Sequence, residues 1–293
     1  MTGKAYARGR SAAIQVLSAL HRDWMDRGLR DDGLRLPICR GNEAAEHSVE
    51  ECEPPAGKQE LNMKVHTIKM GFVKSYLICG EAGCILVDAG IKKDAKALLA
   101  GLQKISIQPE DIKLIVITHA HGDHVGGLME MKKKTGAPIL IHKREAPFLL
   151  EGISAPIYPR KRILKFFIKT GMQAAIPALK ADLTMDDEFS LAAYGVDAKV
   201  IHTPGHTPGS LTVIAGKDAL IGDTAMKIGV LSGRSYVPVI AEDMGQVERS
   251  WRRILECGVE TIHPSHGKSF QAAHMKDMLE VISKRIHNLR GEG

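Results

Sequence analysis

The chain has 293 residues, of which 44% are hydrophobic and 25% charged, with a formal net charge of +6. These are ordinary globular proportions, long enough for a full core in one or two domains, and they exclude a chain disordered throughout. No apolar run approaches the roughly 20 residues of a bilayer-crossing helix, so no membrane partner is expected.

In chain order, the first element is an amphipathic helix candidate at about 12–28, with Ile14, Leu17, Leu20 and Trp24 on its apolar side. Ser11 to Leu20 follows basic residues as a signal peptide would, but His21-Arg22-Asp23 stands where small cleavage-site residues belong. The stretch from Asp31 to Glu60 is polar and lacks apolar periodicity. Residues 1–62 therefore read as an N-terminal extension, partly helical or disordered, and 63–293 as the main domain. That domain opens with the strand Lys64-Val65-His66-Thr67-Ile68.

Cys79 and Cys84 flank the turn Gly80-Glu81-Ala82-Gly83 between two apolar strands. The cysteines (Cys39, Cys52, Cys79, Cys84, Cys257) are odd in number and form no CxxC, which points to reduced thiols in a cytoplasmic protein. A hairpin would bring Cys79 and Cys84 together, but as thiols they read as small buried hydrophobes. Helices are expected at Asp94–Gln103 and Gly126–Lys134, and strands at Leu114–Ile117 and Pro138–His142.

Residues 143–182 form an insertion of helical character. Within it, Pro159 to Lys169 mixes basic and aromatic side chains. The favoured reading is an amphipathic helix with Ile163, Phe166 and Phe167 inward and its charges in water; RNA, a membrane surface or an anionic substrate are the competing ones. Strands follow at Phe189–Leu191, Ala198–His202, Ser210–Ala215 and Thr261-Ile262. The remaining helices are Ala241–Cys257, with Val247, Trp251, Ile254 and Leu255 inward, and Lys276–Leu289.

The densest chemistry lies in Thr118-His119-Ala120-His121-Gly122-Asp123-His124, directly after an apolar strand. Two histidines spaced i, i+2 can face one ion while Asp123 and His124 face a second. Imidazole with carboxylate suits zinc, with iron or manganese as alternatives. His206 lies in the turn His202-Thr203-Pro204-Gly205-His206-Thr207-Pro208-Gly209-Ser210, Asp223 ends Leu220-Ile221-Gly222-Asp223, and His266 lies in His263-Pro264-Ser265-His266-Gly267. Each follows a strand, where α/β sheets place their ligands.

From Met63 to about Phe270 the sequence resembles the metallo-β-lactamase superfamily. The matching parts are HxHxDH at 119–124, TPGHTPGS at 203–210, GDT at 222–224 and SHG at 265–267, with Leu86-Val87-Asp88-Ala89-Gly90 as an early strand whose Asp88 lies beside the site. The resemblance implies a four-layer αββα sandwich with its metals at one edge. It implies two zinc ions per chain, one on His119, His121 and His206, the other on Asp123, His124 and His266, with Asp223 bridging. It further implies a binuclear hydrolase in which two cations hold a shared water as hydroxide and direct it at a carbonyl carbon. Asp123 would serve secondarily to orient that nucleophile or move a proton.

The residues also narrow the branch. Asp223 stands where one β-lactamase subclass has Cys, and Met226 where acyl-homoserine lactonases usually have Tyr. Only Gly267 to Gly293 follows His266, the last candidate ligand, too little for the glutathione-binding helical domain of glyoxalase II. The expected activity is cleavage of a thioester, ester or lactone by a glyoxalase-II-like enzyme on a small-molecule substrate, with no nucleic-acid partner. The alternatives are β-lactamase-like hydrolysis, a compact nucleic-acid-processing hydrolase, and a mononuclear iron oxygenase of the persulfide dioxygenase kind on His119, His206 and Asp223. Substrate choice is expected from the 143–182 insertion, with Phe166 and Phe167 as pocket wall or lid. Because core periodicity begins at Met63, a protein starting there should fold and bind as much metal as the full chain. Circular dichroism and metal analysis check this, and loss of either would assign residues 1–62 to the core.

Overall fold

The computed structural model describes residues 63–92, 95–160, 175–233 and 235–290. The helix expected at 12–28, Cys39, Cys52 and the pair Phe166 and Phe167 lie outside the described residues.

The first half of the domain runs β1 (Lys64–Met70), β2 (Val73–Cys79), β3 (Cys84–Val87), α1 (Ala95–Lys104), β4 (Ile112–Val116), α2 (Gly122–Val125), α3 (Leu128–Thr135), β5 (Ile139–His142), α4 (Ala146–Glu151) and β6 (Leu183–Met185). The second runs β7 (Glu188–Ser190), β8 (Lys199–His202), β9 (Leu211–Ala215), β10 (Asp218–Leu220), α5 (Gly229–Ser232), α6 (Met244–Glu256), β11 (Thr261–His263), β12 (Phe270–Gln271) and α7 (Ala272–Arg290). One sheet has the order β1-β2-β3-β4-β5-β6, the other β12-β11-β10-β9-β8-β7. The first is antiparallel through β3 and parallel from there to β6. In the second only β10 and β11 run parallel.

Strand alternation dictates the layers. In β4 and just beyond it, Ile115 and Ile117 pack into a cluster with Leu98 and Leu102 of α1 and Leu128 and Met131 of α3. Their neighbours Leu114 and Val116 face the other way and meet Val200, Leu211, Val213 and Leu220 of the second sheet. On that sheet's far side, Ile201, Ile214, Ala219 and Ile262 pack on Val247, Trp251 and Ile254 of α6 and Met275 and Leu279 of α7. Three apolar clusters thus separate four layers, an αββα sandwich. Strands buried on both faces need continuous apolar runs, which is why β4 reads Ile112-Lys113-Leu114-Ile115-Val116 with only Lys113 exposed.

Several local expectations change. Cys79 and Cys84 form a disulfide, so the reading of both as reduced thiols is corrected. They are direct partners in the β2–β3 ladder, which puts their side chains on one face with Cα atoms 4.1 Å apart. Strand register decides this, and the parity of the cysteine count does not. Cys257 is free.

The helix expected at Gly126–Lys134 begins at Leu128 as α3, and a separate short helix, α2, precedes it. At the break the chain passes so close to residues 89–91 that a Cβ on Gly127 would stand 2.3 Å from the Ala89 carbonyl oxygen. Within the insertion, Ala146–Glu151 is helical, and beyond it the described residues include isolated bridges from Ile153 to Ala175 and from Pro159 to Ile240. Helix α6 starts at Met244 rather than Ala241, because the Asp243 side chain caps it by accepting from the Gly245 and Gln246 amides. No helix among the described residues is long and apolar enough to cross a membrane.

Candidate metal centre

The C-terminal ends of β4, β8, β10 and β11 each release a loop toward one edge of the sandwich. The first carries His119, His121, Asp123 and His124, the second His206, the third Asp223 and the fourth His266. Backbone bonds lock these loops to one another: Leu211 N donates to Thr118 O at 2.9 Å, Ser265 N to Gly222 O at 2.9 Å, and Lys227 N to His266 O at 2.9 Å. Helix α6 braces the His206 turn, since Asp243 N donates to Gly205 O at 3.0 Å. Gly205 has φ 132°, and a Cβ there would lie 2.4 Å from the Val247 amide nitrogen. Only glycine lets that turn reach the start of α6.

The donors fall into groups. His119, His121 and His206 form one, His119, His124 and Asp223 a second, and Asp123, His124 and His266 a third, with the ligand atoms of each group within 4.8 Å of one another. His206 Nε2 lies 3.2 Å from His119 Nε2 and 3.1 Å from His121 Nδ1. A tetrahedron with metal–nitrogen bonds of about 2.0–2.1 Å has edges of about 3.3 Å, so this trio fits one cation. Asp223 stands between the groups, its carboxylate oxygens 3.7 Å from His206 Nε2, 3.5 Å from His124 Nε2 and 3.4 Å from His266 Nε2.

What fixes each ring is a bond on its far side. His124 Nδ1 donates to Asp88 Oδ2 at 2.7 Å, His206 Nδ1 to the Ile240 carbonyl at 2.9 Å and His266 Nδ1 to the Phe72 carbonyl at 3.0 Å. His121 inverts the pattern: its Nε2 donates to the Pro156 carbonyl at 3.3 Å, leaving Nδ1 inward. Thr118 Oγ1 donates to Asp88 Oδ2 at 2.8 Å and accepts from His119 Nδ1 at 3.1 Å. Each of these bonds turns the ring's other nitrogen inward, where a metal ligand must present its lone pair.

The remaining test is chemical. His124 Nε2 and Asp223 Oδ1 are buried without a hydrogen-bond partner, a costly state that a cation between the donors would relieve. Burial, reinforced by neighbouring imidazoles, holds His119 well below the usual histidine range and His121 at about 3, so that trio stays uncharged. Burial acts the same way on His266, but Asp223 and Asp123 outweigh it and raise its pKa to about 10. Burial would raise Asp223, yet His266 and His124 pull it well below the carboxylate range. The uncharged rings of His119, His121 and His206 beside the ionised Asp223 carboxylate are donors suited to a divalent cation, and an ion held by His124 and His266 would displace a proton from each, so the residues fit one.

Glu145 is the residue that sequence reasoning missed. Fully buried, it accepts from Ala120 N through Oε2 at 2.9 Å and from Gly209 N through Oε1 at 3.0 Å. Those amides belong to the two loops that carry His119, His121 and His206, so one carboxylate ties both. Its local signal was faint: an acidic residue just past β5, close to the apolar Ala146-Pro147-Phe148-Leu149-Leu150.

Over residues 68–266 the chain matches the family model described as the metallo-beta-lactamase superfamily. It is 28% identical over 204 residues to the probable metallo-hydrolase MJ0888 of Methanocaldococcus jannaschii, covering 66% of this chain and 87% of that protein. It is 26% identical over 214 residues to a hydroxyacylglutathione hydrolase of a Chelativorans species, covering 71% of this chain and 69% of the relative. Among solved structures, the subclass B3 metallo-β-lactamase BJP-1 of Bradyrhizobium japonicum superposes with a TM-score of 0.55 at 22% identity, over 80% of this chain and 93% of that one.

Proposed function

Since this chain belongs to the metallo-β-lactamase superfamily, and as a metal-dependent hydrolase, we propose that it uses two cations, zinc in the first instance, to cleave a thioester, ester or lactone. The observation that carries the reading is Asp223, placed within 3.7 Å of His206 on one side and 3.5 Å of His124 on the other. One ion would be held by His119, His121 and His206, the other by Asp123, His124 and His266, with Asp223 shared. Ions bound there acidify water and polarise a carbonyl oxygen.

The chain's own contribution is orientation and charge. Asp123 is the most open of the acidic donors, with 26% of its side chain exposed against 6% for Asp223. Its carboxylate lines the cavity and can orient a water molecule or take up a proton from it. Asp88 holds His124 in the tautomer that presents Nε2, and the Ile240 and Phe72 carbonyls do the same for His206 and His266. An acyl substrate is favoured over a phosphodiester by relatives named hydroxyacylglutathione hydrolase. Convergence of Asp123, His124 and His266 favours two ions over the single iron of the oxygenase alternative.

The test is metal analysis of the purified protein, followed by turnover on thioesters, lactones, β-lactams and phosphodiesters. We expect about two zinc equivalents and a preference for acyl substrates that disappears on chelation and returns with zinc. One iron per chain with oxygen uptake, or cleavage of phosphodiesters alone, would overturn the reading.

A further inference from the structure

A cavity of about 1520 Å³ opens over His121, Asp123, His206, Asp223 and His266. Pockets for small ligands occupy about 300–1,000 Å³, so this one accommodates more than a compact metabolite. Its lining is asymmetric. The first half of the chain supplies Lys92 together with Lys96 of α1 and Lys133 of α3, and Glu130 is the one acid besides the metal donors among the described lining residues. The second half supplies Ile228, Leu231 and Ile240, and apart from His206, Asp223 and His266 it contributes no charged residue there.

The apolar part is substantial. Ile228, Leu231 and Ile240 pack together with Met226 and Val239, while Ile157, Ile176 and Pro177 of the insertion line the same space. Phe72 is 65% exposed, with its ring stacked on His266 at 5.6 Å and 8°. Met129, also on the lining, is 38% exposed. Large apolar side chains left open around a reactive centre mark a surface that a ligand covers. Ammonium groups lining a low-dielectric cleft draw in anions.

We propose that the substrate is an acyl thioester or ester with an extended hydrocarbon chain on an anionic carrier. The chain lies along Ile228, Leu231 and Ile240, and the carrier's negative groups meet Lys92, Lys96 and Lys133. The assignment rests on the hydrolase reading above. In the reaction, the oxygen of water bonds to the acyl carbon and the carbon–sulfur or carbon–oxygen bond breaks. One proton of the water goes to the leaving sulfur or oxygen and the acid product ionises, so no oxidant or reductant is needed. The insertion residues Ile157, Ile176 and Pro177 give the 143–182 segment a place on this pocket without reference to Phe166 and Phe167.

The experiment uses full-length, zinc-loaded protein and acyl chains of four, eight and twelve carbons. Each chain is offered as the coenzyme A thioester, an anionic carrier, and as the neutral N-acetylcysteamine thioester. We expect kcat/KM to rise at least about tenfold from the four-carbon to the twelve-carbon chain. At low salt the anionic carrier should be favoured at least about tenfold. The double variant Lys96→Glu, Lys133→Glu should reduce that carrier ratio to about threefold or less, with its circular dichroism spectrum checking the fold. Hydrolysis indifferent to chain length, or a carrier ratio untouched by the double variant, overturns the proposal and leaves the hydrolase reading standing. Binding of S-dodecyl-coenzyme A, a thioether that cannot be hydrolysed, separates the two. Lysine-dependent binding with no thioester turnover supports the pocket assignment and sinks the hydrolase reading.

Discussion

Asp223→Asn should strip both ions and reduce turnover by more than about 100-fold while leaving the sandwich folded. The Asp223 side chain is the one donor lying within 3.7 Å of His206, His124 and His266 alike. Asn keeps the shape but offers one neutral carbonyl oxygen and no charge to set against two cations. Loss of a partner that merely orients a metal ligand already costs about 10–100-fold in affinity or activity, and a shared ligand should exceed that. Zinc-induced thermal stabilisation gives a second readout: a 100-fold weaker ion at saturating zinc forfeits about 2.7 kcal/mol of stabilisation. His266→Ala should behave differently, emptying mainly the Asp123, His124 and His266 group while His119, His121 and His206 retain their ion. If the wild-type protein held a single iron and His266→Ala kept full activity, the two-ion mechanism would be wrong and the oxygenase alternative would replace it.

The residues of the centre differ in how plainly the sequence marks them. His119, His121, Asp123 and His124 were legible because they sit within one short segment after an apolar strand, so their proximity is local geometry. The layers were legible because β4 and β9 are apolar on both faces while α6 carries a single apolar stripe. What orients the ligands was not legible. The acceptors on His206, His266 and His121 are backbone carbonyls of Ile240, Phe72 and Pro156, and any residue type supplies a carbonyl. The Cys79–Cys84 bond depended on strand register, which composition does not encode. Likewise α1 and α3 read as core helices from their inward faces, whereas Lys96 and Lys133 line the cavity from positions that carry no periodic signal.

Glu145 tests whether the centre is built by its ligands alone or also by what joins their loops. Both of its oxygens are committed, Oε2 to Ala120 N and Oε1 to Gly209 N, and the side chain is fully buried. Burial raises its pKa, and the Ala120, Thr207 and Gly209 donors oppose that rise. In Glu145→Gln a single oxygen remains, and the amide group turns its own N–H toward one of the backbone N–H groups. A buried donor left without an acceptor costs about 1–3 kcal/mol, so the urea midpoint should fall. A merely structural role would end there. If Glu145 positions the loops, zinc affinity of the folded protein should also weaken about 10–100-fold, measured by chelator competition well below the midpoint. The loss should fall first on the ion held by His119, His121 and His206, because Ala120 separates two of those ligands and Gly209 closes the turn that carries the third. A lowered urea midpoint with unchanged affinity for both ions would reduce Glu145 to a core residue.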